Sequence, residues 1–245
     1  MRTLLCALLT SFSFPAFAQS SLGITGAELT FGMVEDETGE YRGQGRAALD
    51  VAITGFHGFQ GDLAYSDTAT GGIGTLAAHV YMTPRDGQKY GLFVALSDVD
   101  DRALMYASIG AEGMLAIGDD TTIEARAGVG WGDDRLDYIF AGGAIAHQLT
   151  PALELELSAD VADFDEVGLS TTAYDVALRA TYSPKGAPWG VYASIGQSGL
   201  TGGDSATRIG LGVRITLGTT GGTDPKTRLF RTPDPVAPLV RRGLW

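Results

Sequence analysis

Arg208-Ile209-Gly210-Leu211-Gly212-Val213-Arg214-Ile215-Thr216-Leu217 carries an apolar side chain at every second position and glycine, threonine or arginine between them. Period two puts Ile209, Leu211, Val213, Ile215 and Leu217 on one side of an extended strand and both arginines on the other. Working backwards, the same pattern recurs about a dozen times to Ala27, in segments of nine to thirteen residues divided by turns. The apolar face takes Leu29, Phe31 and Met33 in the first segment, Leu92, Val94 and Leu96 in the fifth, Leu136, Tyr138 and Phe140 in the eighth, and Leu153, Leu155 and Leu157 in the ninth. The opposite face holds Glu28, Arg46, Asp50, Asp62, His79, Glu112, Glu124, Arg126, Asp137, His147, Glu154, Glu156, Asp160, Asp175, Arg179, Arg208 and Arg214, spaced mostly by Gly, Ala, Ser and Thr.

A soluble β-sandwich would also alternate, with the apolar face as its core. Three features favour a closed, antiparallel, up-and-down transmembrane β-barrel of about 12 strands. The strand count is even, and segments of about ten residues match a tilted membrane crossing. Aromatic side chains gather at strand ends, with Tyr65, Trp131, Tyr138 and Tyr174 toward one rim and Phe59, Tyr182 and Trp189 toward the other, as interfacial girdles do. The charged face is rich in glycine and alanine, and the chain has only Lys89, Lys185 and Lys226 as lysines, a composition that suits a crowded lumen better than a solvated sheet. No apolar run after the first segment of the chain reaches the length of a spanning helix.

Residues 1–18 read as a cleaved secretory signal. Met1 and Arg2 form a positive start, Leu4 to Phe14 an apolar run too short to span a membrane, and Ala16-Phe17-Ala18 a small-x-small cleavage site. The only cysteine, Cys6, leaves with it, so the mature chain is expected to hold no thiol, disulfide or thiolate metal site. Residues 19–217 form the expected barrel, and no linker divides them.

If the N-terminus is periplasmic, the odd connections face outward: 35–45, 67–72, 98–102, 132–134, 163–170 and 197–204. With Arg135 they hold fourteen acids against three bases, while Pro84, Pro151 and Pro184 all fall in the even turns. The longest outward loop, Glu35 to Gly45, is too short for an external domain. Its acidity suits surface solubility, or divalent-cation bridging to anionic lipid headgroups.

Ten carboxylates against five arginines on the inner face predict a lumen favouring cations. Across neighbouring strands, Arg214 is expected near Glu28, Arg126 near Glu112 and Glu124, and Arg179 near Glu156. Twelve strands lie between barrels filled by side chains and barrels enclosing water, so a conducting pore and a closed charge network both remain open. For an enzyme, the one serine worth pairing with a histidine is Ser108 with His79; His57 and His147 neighbour no serine in a recognisable motif, and there is no HExxH, Walker loop or GxGxxG before a helix. Gly128 and Gly130 sit inside a strand, where glycine marks close packing or a bend. No catalytic, metal or cofactor residue is assigned.

Residues 218–245 depart from the pattern. Gly218-Thr219-Thr220-Gly221-Gly222 is followed by Pro225, Pro233, Pro235 and Pro238, and five bases against two acids oppose the acidic barrel. Composition favours a disordered periplasmic extension; the other reading folds the tail into the periplasmic mouth, Arg228 and Arg231 meeting lumen acids.

Over residues 26–217 the chain resembles the porin-like outer-membrane β-barrel proteins of Gram-negative bacteria, on the signal, the alternation and the aromatic rims. The resemblance implies an outer-membrane channel for passive diffusion of small hydrophilic solutes, with a non-conducting structural barrel and, further off, a lipid-modifying enzyme as alternatives. It also implies contact with outer-membrane lipids and lipopolysaccharide, assembly by the barrel-insertion machinery, periplasmic N- and C-termini, an oligomer as an option, and no nucleic acid. Such barrels usually end their last strand on an aromatic residue. Here that strand ends at Leu217, and the terminal aromatic, Trp245, comes 28 residues later.

Overall fold

The computed structural model describes residues 23–100, 104–132, 136–165, 170–203 and 205–242, so the signal segment and Trp245 lie outside the described residues. Twelve strands run β1 (Ile24–Glu35), β2 (Tyr41–Ala52), β3 (His57–Ser66), β4 (Ile73–Met82), β5 (Gln88–Val99), β6 (Leu104–Ala116), β7 (Thr121–Gly132), β8 (Asp137–Thr150), β9 (Leu153–Asp165), β10 (Ser170–Tyr182), β11 (Trp189–Leu200) and β12 (Ser205–Gly218). Each pairs antiparallel with the next, and β12 returns to β1 with Leu29 opposite Ile215 and Phe31 opposite Val213. Closure leaves no sheet edge, the condition for a sheet to cross a hydrocarbon layer.

The alternation resolves into outside and inside. Leu92 is 66% exposed, Leu211 65% and Phe31 56%, with Met33, Leu76, Val80, Val94, Leu96, Ile109 and Ile195 also on the outer surface. A soluble sandwich would bury these side chains. An apolar belt around the whole wall belongs in lipid.

Gly23 and the turns carrying Pro84, Pro151 and Pro184 lie at one end, here the turn end, and the connections after β1, β3, β5, β7, β9 and β11 at the other, the loop end. The first loop is shorter than its composition predicts. Strand pairing runs on from Met33–Gly43 to Glu35–Tyr41, leaving only Asp36–Glu40. There the Asp36 carboxylate accepts from the Thr38 backbone N–H at 2.9 Å and from Arg42 Nε at 2.7 Å, closing a tight turn.

β8 is inverted relative to the sequence reading. Leu136, Tyr138 and Phe140 point inward and are nearly fully buried, while Ile139 faces outward, as do Asp137 and His147. Both parities of this segment carry apolar residues, so alternation alone cannot orient it. The inner aromatics join Phe93 and Phe164 in one buried cluster together with Val236, Ala237, Leu239 and Val240 of the tail. That cluster decides the parity.

The tail is not a free extension. At Gly218, whose φ is +74° and whose Cβ position would lie 2.3 Å from the Thr25 carbonyl oxygen, the chain turns off β12 and into the barrel. Thr223 bonds to the β6–β7 turn through Asp119 O at 3.0 Å, and a short helix, α1 (Ala237–Arg242), packs on β10 and β11. The Thr70 hydroxyl of the β3–β4 loop donates to Val240 O. The tail therefore threads the lumen from the turn end to the loop end.

Candidate functional site

The lumen and the tail within it form the site. Near the turn end, Arg228 reaches from the tail to Glu154 at 2.8 Å and to Glu156, and Lys89 Nζ donates to Arg228 O at 2.9 Å. Lys89 is fully buried, its ammonium 4.0 Å from the Tyr81 ring centroid and 4.8 Å from that of Phe230. Phe230, also fully buried, stacks on His79 with centroids 5.8 Å apart. Its backbone is held as a strand's would be: the N–H donates to Gln60 Oε1 at 2.9 Å, and the carbonyl accepts from Gln60 Nε2 at 2.9 Å and Arg46 at 2.7 Å.

At mid-height Arg231 grips Asp160 with two nitrogens at 3.0 and 3.1 Å, the planar fork geometry that guanidinium offers a carboxylate. Thr232 donates to Asp62 at 2.7 Å and accepts from Arg46 Nε at 2.7 Å. Toward the loop end Arg241 reaches Asp175 at 3.1 Å, a carboxylate it shares with Arg208 at 2.7 Å. Asp234, between these latches, has a buried Oδ1 without a hydrogen-bond partner.

The inward charges of the wall fall into three groups. Glu124, Glu154, Glu156, Asp160, Asp62, Asp175 and Arg46 bind the tail directly. Glu28 pairs with Arg46 at 2.9 Å, Arg126 with Glu124, and Tyr81 donates to Asp50 at 2.7 Å. His79 sits between Glu112, at 2.6 Å, and Asp62, at 3.6 Å. Arg214 does not meet Glu28. In the seam register Glu28 faces Thr216 and Arg214 faces Thr30, so the arginine turns to Glu154 at 3.5 Å. Arg126 lies opposite Glu112 in register, and Arg179 opposite Glu156, but Glu156 is taken by Arg228. Asp137 and His147 stand outside; His147 Nδ1 lies 2.9 Å from the Thr121 hydroxyl.

Sequence reading missed Lys89, Gln60, Tyr81, Phe93 and Tyr192 as lumen residues. For Lys89, Phe93 and Tyr192, parity offered a signal, because Tyr90, Leu92 and Val94, and likewise Val191 and Ala193, must share the opposite side. The lumen tyrosines also explain the glycines. A Cβ on Gly130 would stand 2.1 Å from Tyr138 Cζ, one on Gly58 2.3 Å from Tyr81, and one on Gly212 2.4 Å from Tyr192. Each ring lies across a neighbouring strand where only hydrogen leaves room. Ser108 and His79 share no hydrogen bond among the described residues, so the geometry assembles no nucleophile and base there.

Beside the tail lie spaces of about 280 and 190 Å³; the larger borders β7–β12 with β1 and β2, the smaller β1–β4 with β10 and β11. Arg46, Arg179, Thr232, Asp234 and Arg241 border both.

The chain matches no protein-family model, and no curated protein matches it by sequence. Its backbone is similar to the NanC porin, at TM-score 0.62 and 10% identity over 76% of this chain and 98% of that one. It is also similar to the COG4313 outer membrane channel from Pseudomonas putida F1, at 0.58 and 10% over 80% and 96%, and to the KdgM porin, at 0.56 and 10% over 77% and 98%. The fold is that of a porin-like outer-membrane barrel. Porin-like barrels of this architecture span nearly the whole of those neighbours and leave only part of this chain unmatched.

Proposed function

We propose that the protein is a porin-like outer-membrane channel for small hydrophilic solutes whose lumen is narrowed by its own C-terminal tail. The observation that carries this reading is the tail itself, latched by Arg228, Arg231 and Arg241 to wall carboxylates while spaces of about 280 and 190 Å³ remain beside it. A barrel with a purely structural role gains nothing from charged space kept open beside the tail, whereas a restricted pore needs it. In this reading the turn end faces the periplasm and the acidic loops face outward, among lipopolysaccharide headgroups, after assembly by the insertion machinery.

The cation preference belongs to the wall alone. With Asp137 outside and Lys89 inside, nine inward carboxylates face six bases; the docked tail adds Arg228, Arg231 and Arg241 against Asp234 and brings the lumen close to neutrality. Single-channel recording in planar bilayers tests the proposal. The full chain should give small steps, and a chain ending at Leu217 larger ones. Equal steps would remove the tail from the mechanism, and silence from both folded proteins would leave a non-conducting barrel.

A further inference from the structure

Docking of the tail rearranges partners on the lumen wall. Arg179 of β10 and Glu156 of β9 are register neighbours, facing the same lumen at the same depth, and would pair in an empty barrel. In the folded chain Arg228 of the tail holds Glu156 instead. Among the described residues Arg179 then keeps no carboxylate within ion-pair distance, and its guanidinium rests on the face of Tyr192, 4.8 Å from the ring centroid. Tyr192 is a fixed platform, backed by Gly212 and Gly32, its hydroxyl bonded to Gln44 Nε2 at 3.0 Å.

The tail also carries a second cation into the same space. Arg241 and Arg208 share the single carboxylate of Asp175. The other acids around the larger chamber are engaged: Glu156 by Arg228 and Asp160 by both terminal nitrogens of Arg231. Among the described residues Asp234 is in no ion pair, and its Oδ1 is buried without a hydrogen-bond partner. The hydroxyl-bearing Ser194, register partner of Arg179, borders the larger chamber as well.

We infer that the docked tail builds an anion-binding site in the 280 Å³ chamber, centred on Arg179 with Arg208 and Arg241 beside it, for a small solute bearing a carboxylate or phosphate group. A guanidinium stacked on an aromatic face keeps its in-plane N–H donors free, and these match a planar carboxylate or a phosphate edge with two parallel hydrogen bonds. The chamber is walled by inward arginines and carboxylates of the barrel and by the tail, so the ligand inferred is a dissolved anion and not a lipid headgroup. The site lies in the channel proposed above but needs no conduction, and its test is a binding measurement.

Inorganic phosphate is titrated into the folded full chain in detergent at constant ionic strength, with binding followed by calorimetry and by the rise in thermal unfolding temperature. Wild type should bind saturably, and Arg179→Gln should weaken binding at least tenfold. Arg228→Gln, which does not border the chamber, should weaken it severalfold by returning Glu156 to Arg179. If Arg179→Gln does not fold, Arg179→Lys serves in its place, and loss of the planar fork should weaken binding severalfold. Absence of saturable binding in wild type overturns the inference, as does undiminished binding in the Arg179 variant. Undiminished binding in Arg228→Gln overturns the part given to the tail.

Discussion

Asp234 and Gly130 locate the two kinds of tension that the lumen holds. Asp234 is an acid carried inside by the tail without an arginine of its own, and an ionised carboxylate left partly unsatisfied costs free energy. Asp234→Asn should therefore raise the urea midpoint at pH 7. A variant less stable than wild type at pH 7 would mean that ionised Asp234 helps hold α1. Asp36, in the first loop, is by contrast well partnered. Burial would raise its pKa, but bonds from Arg42 and Thr38 hold it down at about 2, so the first loop keeps its latch until the medium is strongly acid. At Gly130 the strain is steric. Gly130→Ala drives a methyl into the Tyr138 ring, and overpacking of this kind costs about 1–3 kcal/mol, readable as a lower unfolding midpoint with the barrel still assembled.

At the scale of elements, legibility follows how one-sided each segment is. β12 carries arginine, glycine or threonine on one parity and large apolar groups on the other, and alternation places them; β4 and β9 depart from it, with Ile73, Tyr81 and Phe164 turned inward. β8 is ambiguous: Tyr138 and Phe140 compete with Ile139 and Ile145 for the lipid, and it is a long-range cluster with Phe93, Phe164 and the inserted tail, absent from a local pattern, that takes the aromatic pair inward. The first loop was overread because Arg42, Gly43 and Gly45 look like turn residues while their backbone goes on pairing. The tail was underread for a different reason. Four prolines and a glycine run signal disorder, yet Leu229, Phe230, Val236, Leu239 and Val240 are more apolar than a solvated extension requires, and all are buried. Phe230 is the wedge among them. Removing a buried phenylalanine costs about 3–5 kcal/mol in a packed core, and here that loss falls on docking alone. Phe230→Ala should therefore leave the barrel folded while trypsin cuts after Arg228 and Arg231 much faster than in wild type, because cleavage needs the tail to leave the lumen. Equal cleavage rates would show that the ion pairs alone retain the tail.

For the whole molecule, the tail turns an acidic tube into an almost neutral one, and this removes most of the cation preference that the wall by itself would have. Buried ion pairs are screened weakly by salt, so the latches at Arg228 and Arg231 should persist at ionic strengths that abolish the exposed pairing of Arg42 with Glu40. With the tail docked, the larger space beside it is bordered by Arg46, Arg179, Arg208 and Arg241, where arginines outnumber unpaired carboxylates. Once the tail is removed, Glu156 can rejoin Arg179, while Glu154, Glu124 and Asp160 lose their tail partners and face open water. A reversal potential measured across a potassium chloride gradient separates the two states without reference to conductance size. The chain ending at Leu217 should shift toward the potassium potential, and the full chain should lie nearer zero or toward chloride. A full chain as cation-selective as the truncated one would place the conducting path away from these arginines and would make the tail a bystander to permeation.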